Sequence, residues 1–270
     1  MRELLNFGLI FREYTGTALV ADEGGTLIVH RFDNPMAIMI MGYLIIIIVG
    51  YLLGSLNAGI IISKLIYKDD IRNHKNTSGG VDIGDIRRIY GNGAAIAAFI
   101  FDGAKTVIAV LIGMMVLGNH PDLVMRYAGP YIGGFAAAAG HAFPFYHKFK
   151  GGKSVVAAFF IVLMTSPLTA AICVVIFIVV VICSKYLSLG LIMSLMIYPL
   201  ILNRLTGTGL HNVFAILLML MVVLLHREEI KRIGAGTEKK LNFGRKKKNV
   251  KQSKSGDKVG KAEKVEKGEE

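Results

Sequence analysis

The residues best suited to chemistry lie in His141-Ala-Phe-Pro-Phe-Tyr-His-Lys-Phe-Lys-Gly-Gly-Lys153, a polar stretch that interrupts apolar sequence on both sides. Gly151 and Gly152 tolerate backbone angles closed to other residues and let the chain pass close to a ligand. Lys153 follows, just before the apolar run Val155-Val156-Ala157-Ala158. A glycine pair and a cation at a helix start offer backbone N–H groups, the positive end of the helix dipole and an ammonium to one anion. Phosphate or carboxylate is the natural guest. The same residues also satisfy a plainer description, a basic cytoplasmic loop whose lysines only set topology. Three further polar breaks carry candidate groups: the loop 68–91 with Ser78-Gly79-Gly80, Arg87 and Arg88, then Ser184-Lys185-Tyr186-Leu187-Ser188, and His226-Arg227-Glu228-Glu229.

What positions these breaks is a set of apolar helices. The chain of 270 residues is 53% hydrophobic, and its mean hydropathy is +0.54. A bilayer needs roughly 20 apolar residues per helix, and apolar segments recur at about 36–67, 92–117, 127–140, 154–165, 168–183, 189–202 and 211–225. The expected fold is therefore all-α and integral to the membrane, with about seven transmembrane helices. The segment 154–165 is short, roughly 18 Å at helical rise, and suits a thinned bilayer or a re-entrant hairpin. Asp102 and Lys105 lie three apart within an apolar helix, where charges are costly unless paired. An ion pair is expected there.

Residues 1–35 are mixed and polar and form an extension without assigned role; they hold no apolar signal region. Residues 36–233 form the membrane domain, and 234–270 a Lys-rich tail too polar to bury a core. Much of the excess behind the net charge of +12 lies in short loops and this tail, so it points to anionic lipid rather than nucleic acid. Cys173 and Cys183 share one apolar helix ten residues apart and cannot pair. If the loop 68–91 is cytoplasmic, seven crossings put the Lys148–Lys153 loop, the Lys185 loop and the tail on that side. The N-terminus then lies outside and the C-terminus in the cytoplasm. All four polar breaks share one membrane face.

On that face stand Ser78, Arg88, Lys153, Ser188 and His226: hydroxyls, cations and an imidazole, without a nucleophile beside paired carboxylates and without a metal-ligand spacing. Such an inventory holds a phosphate and neutralises its charge. At this point the chain resembles the bacterial membrane glycerol-3-phosphate acyltransferases that use acyl phosphate, the PlsY family, over about residues 42–233. The resemblance rests on Tyr51-Leu52-Leu53-Gly54-Ser55, Phe101-Asp102-Gly103-Ala104-Lys105, Gly140-His141-Ala142-Phe143-Pro144 with Phe149-Lys150-Gly151-Gly152-Lys153, Lys185-Tyr186-Leu187-Ser188-Leu189, and His226-Arg227-Glu228, all in order. It implies a multi-pass enzyme of the cell membrane with a cytoplasmic active face and no cofactor or metal. Its substrates would be acyl phosphate and glycerol 3-phosphate, and its product, made by acylation of the 1-hydroxyl, lysophosphatidic acid.

Acyl phosphate is already activated, so the protein needs mainly to position two phosphates and an acyl chain. Lys153, Gly151 and Gly152 would hold one phosphate; Ser78, Gly79 and Arg88 the other, with Lys185 close by and Ser188 as a further donor. His226 would polarise or deprotonate the hydroxyl. The first motif departs from the family pattern: Gly80 stands for an asparagine, Gly84 for a threonine and Asp85 for a second asparagine, while Ser154 replaces a glycine and Glu229 an asparagine. Asp85 and Glu229 add negative charge beside a phosphate. Two other readings follow: a non-catalytic or altered-acceptor paralogue that binds lipid phosphate, and a small-solute transporter with Asp102 and Lys105 in its path.

Overall fold

The computed structural model describes residues 17–21, 27–31, 35–74, 81–117, 123–207 and 209–241. Met1–Glu238 form one compact unit and Lys239–Glu270 a second, of which the first three residues are described. Two short strands, β1 (Thr17–Ala21) and β2 (Leu27–Arg31), pair as an antiparallel hairpin. Every other long element among the described residues is helical: α1 (Pro35–Ser55), α2 (Ala58–Leu65), α3 (Ile83–Tyr90), α4 (Asn92–Leu117), α5 (Leu123–Ala142), α6 (Val155–Thr165), α7 (Pro167–Ser184), α8 (Leu187–Thr206), α9 (Leu210–Leu225) and α10 (Arg227–Gly234).

The first expected span is divided. Ile40–Ser55 and Ala58–Leu65 meet at 46° across Leu56-Asn57. Asn57 caps α2 by accepting from the Ile60 N–H at 3.2 Å, while its amide donates to the Val81 carbonyl. An N-cap side chain of this kind restarts a helix without a proline. α4, α7 and α8 are long and apolar enough to cross a membrane, and the bent pair α1–α2 passes as one span. α6, with 11 residues, and α9, with 16, are shorter apolar helices. α5 is rich in glycine and alanine and largely enclosed by α1, α4, α6 and α9, so its surroundings are protein more than lipid.

Close approach around α5 depends on those small residues. A Cβ on Gly54 of α1 would run into the Ala137 backbone, and one on Gly113 of α4 into the Gly129 carbonyl. Helices that cannot gain from hydrophobic transfer within lipid gain instead from such contact. The largest core cluster unites Tyr131, Ala158, Ile161, Tyr198, Leu218 and Val222 from α5, α6, α8 and α9.

Candidate functional site

The stretch 143–154 leaves α5, makes a 3₁₀ turn over Phe145–His147, and reverses through Lys148 and Phe149, both left-handed at φ of 55° and 59°. Gly151 N–H then donates to the Ala142 carbonyl and Gly152 N–H to the His141 carbonyl, each at 3.1 Å. This corrects the role expected of the glycines. Their N–H groups close the end of α5 and are not presented to an anion, and neither has a left-handed φ. They are glycines because of space. A Cβ on Gly152 would fall against the His141 ring and 2.9 Å from Asp82 Oδ1, and one on Gly151 against the His141 and Ala142 carbonyls and Pro144.

The left-handed position is Ser154, at φ 54°, the residue before α6. Its hydroxyl donates to the Ala138 carbonyl of α5 at 2.7 Å and is sealed from solvent. That buried bond offsets the roughly 1 kcal/mol by which a left-handed angle disfavours a residue with a Cβ.

Lys153 stands between two carboxylates. Its ammonium donates to Glu229 Oε1 at 2.8 Å and lies 3.6 Å from Asp82 Oδ2, while its backbone N–H donates to Asp82 Oδ1 at 3.0 Å. One third of its side chain reaches solvent. Glu229 Oε1 also accepts from the Arg232 guanidinium at 2.8 Å; its Oε2 is buried with no hydrogen-bond partner. Arg232 turns to Glu238 at 2.7 Å, and Glu238 Oε1 accepts from the Ser188 hydroxyl at 3.2 Å. A chain of charge-assisted bonds thus runs from the N-terminus of α3 through the 151–154 loop and α10 to the start of α8.

The electrostatics sort these groups. Burial opposes charge on Lys153, but the bond to Glu229 and the attraction of Asp82 outweigh it and raise the ammonium above its usual range. Burial also opposes charge on Glu229, and there the bond from Lys153 prevails and holds the carboxyl below the usual range. At Asp82 the order reverses: burial exceeds the pull of Lys153, and the carboxyl lies above its ordinary value.

Of the other expected residues, His226 is fully buried between α9 and α10, and its Nδ1 meets the Val222 carbonyl at 2.8 Å. That carbonyl can only accept, so Nδ1 carries a ring proton, and in the neutral tautomer this selects Nε2 holds the lone pair. Arg88, on α3, pairs with Asp85 at 2.9 Å, one turn from Asp82. Lys185 ends α7 in a left-handed turn, exposed, three residues before Ser188. Ser78 and Gly79 lie outside the described residues. Sequence reasoning missed Asp82, Arg232 and Glu238: Asp82 lies in a polar loop and is placed by the start of α3, which it N-caps, and the other two lie in a charged run with no pattern pointing inward.

Beneath the loop lies the intramembrane pair. Lys105 Nζ is 2.7 Å from Asp102 Oδ1 and also meets the Gly54 and Leu56 carbonyls at 3.0 and 2.5 Å and His141 Nδ1 at 3.0 Å. An ammonium at the last carbonyls of α1 satisfies groups that the break before α2 would orphan. Both charges are buried, so the pair is a brace that holds α1, α4 and α5 together under Gly152. Beside the loop, an apolar groove of about 400 Å3 opens between α6, α7 and α8, lined from Val155 and Val156 through Phe159 to Phe177 and Leu195.

Lys153 thus stands two residues before Val155, which lines this apolar groove in a protein of membrane-length helices. Residues 44–236 match the family model described as glycerol-3-phosphate acyltransferase. The chain is 35% identical over 194 residues to the glycerol-3-phosphate acyltransferase of Thermoanaerobacter pseudethanolicus, covering 72% of this chain and 93% of that one. It is 33% identical over 207 residues to the enzyme of that name from Finegoldia magna, covering 74% and 98%. The crystal structure of PlsY (YgiH), an integral membrane glycerol 3-phosphate acyltransferase, in its glycerol 3-phosphate form, superimposes with a TM-score of 0.64 at 29% identity, covering 74% of this chain and 96% of that one. The lysophosphatidic acid form gives 0.63 at 28%. The chain belongs to the glycerol-3-phosphate acyltransferase family. It is an integral membrane acyltransferase.

Proposed function

We propose that the protein transfers a fatty acyl group from acyl phosphate to the 1-hydroxyl of glycerol 3-phosphate, releasing inorganic phosphate and lysophosphatidic acid on the cytoplasmic side of the cell membrane. The observation that carries this reading is the adjacency of Lys153 to the apolar groove. Val155, two residues after the partly exposed Lys153, already lines that groove, so one substrate can place a phosphate at Lys153 and a chain along α6 and α7. The glycerol oxygen attacks the acyl carbonyl carbon, the carbon–oxygen bond to phosphate breaks, and phosphate leaves with that electron pair. Lys153 neutralises charge on the phosphate, Ser188 donates a further hydrogen bond, and Arg88 with Ser78 and Gly79 holds the acceptor's phosphate. Lys185 adds positive charge at the Ser188 turn. His226 Nε2, freed by the bond at Nδ1, receives the hydroxyl proton. The catalytic unit spans residues 36–233 in seven crossings, and the basic tail rests on anionic lipid.

The test is turnover of palmitoyl phosphate and glycerol 3-phosphate by the purified protein, read as phosphate release and lysophosphatidic acid. Lys153→Ala should lower kcat/KM by about 10²–10³ without loss of folded protein. A second reading, an altered acceptor, is favoured by one observation: Asp82 and Glu229 both face Lys153. No turnover beside an active control, but turnover with an uncharged polyol acceptor, would replace the first reading with the second.

A further inference from the structure

Three of the groups proposed to hold phosphate, Lys153, Ser188 and Arg88, are each engaged by a carboxylate of this same chain. Lys153 holds Glu229 and Asp82, Ser188 holds Glu238, and Arg88 holds Asp85. Two of the four carboxylates, Glu229 and Glu238, come from the segment 227–238, and Arg232 grips both, at 2.8 and 2.7 Å. The chain after α10 turns back to allow this, with Thr237 and Glu238 N–H groups donating to the Arg232 carbonyl. A carboxylate presents two oxygens to an ammonium or hydroxyl much as a phosphate does.

Resting on the acyltransferase reading, we infer that Glu229 and Glu238 set the substrate affinity of this enzyme by occupying Lys153 and Ser188 as internal stand-ins for a substrate phosphate. Binding is then an exchange. A phosphate that arrives at Lys153 displaces Glu229 Oε1, and one that reaches Ser188 displaces Glu238 Oε1. The displaced carboxylates do not stand bare, because Arg232 retains them and shifts with α10 as a unit. The phosphate carries more charge than the carboxylate it replaces, which drives the exchange, while the cost of parting the internal pairs weakens apparent binding. Glu229 Oε2, buried without a partner, marks the strained half of the arrangement: the carboxylate has one oxygen satisfied twice and the other not at all.

The experiment uses the full chain in detergent, with equilibrium binding of inorganic phosphate and steady-state KM for glycerol 3-phosphate and acyl phosphate, on wild type, Glu229→Gln and Glu238→Gln. The expected result is tighter phosphate binding in both variants and a KM for at least one substrate lowered about fivefold to tenfold, the scale of one charge-assisted bond. Glu238→Gln guards against misfolding at the deeper Glu229. Unchanged or weaker phosphate binding in a folded Glu238→Gln protein, with wild type active, overturns the inference and leaves the acyltransferase reading intact. Tighter phosphate binding with no turnover in any variant upholds the internal exchange and removes the reaction instead.

Discussion

At the residue scale, Lys153 and Glu229 define the site, and their shifts make a pH prediction with a definite sign. Glu229 lies below its ordinary 4.5, so its pairing stabilises above that pH and is lost as the pH falls through the lowered value. Lys153 lies above its ordinary 10.5, so its share is present below that pH and is lost as the pH rises through the raised value. Between the two the pair's contribution is flat. The Tm difference between wild type and Glu229→Gln should therefore stay constant from about pH 5 to about pH 9 and shrink in more acid solution. A difference that grows in acid would mean that Glu229 is not held by Lys153. Asp82 has the opposite sign, because burial raises its carboxyl, and protonation in acid relieves it. Lys153 was legible as a candidate from its place after two glycines. Its carboxylate partners were not, since they lie 71 and 76 residues away in sequence.

At the element scale, the decisive piece is the loop that returns to α5 and launches α6. Ser154 replaces the glycine that a left-handed turn prefers, and its hydroxyl anchors α6 to Ala138. Ser154→Ala keeps the unfavourable angle and loses the bond, so it should destabilise by about 1 kcal/mol. Ser154→Gly loses the bond but relieves the angle, and should stay within about 0.5 kcal/mol of wild type. Thermal unfolding in detergent measures both, and equal stability of Ser154→Ala and wild type would remove the anchor. The helices themselves were legible as apolar runs. The break in the first of them was not: nothing in Leu53-Gly54-Ser55-Leu56-Asn57 stops a helix until Lys105 takes the freed carbonyls and Asn57 caps the next turn.

At the scale of the molecule, the four polar breaks meet in one chain of hydrogen bonds and ion pairs, and the proposed orientation is testable. In a background with Cys173 and Cys183 replaced, a single cysteine at Arg204 should react with an impermeant maleimide on intact cells, and one at Lys148 only after permeabilisation. Reaction at Lys148 from outside would invert the proposed topology. The sequence by itself determined that this is a helical membrane protein and which family it resembles, because apolar run length and short motifs are local properties. Tertiary structure alone decided that the Gly151 and Gly152 amides close a helix end, that Asp102 and Lys105 brace three helices, and that Lys153 meets two carboxylates. Those outcomes depend on which distant groups packing brings within hydrogen-bond reach, and no local pattern encodes that distance.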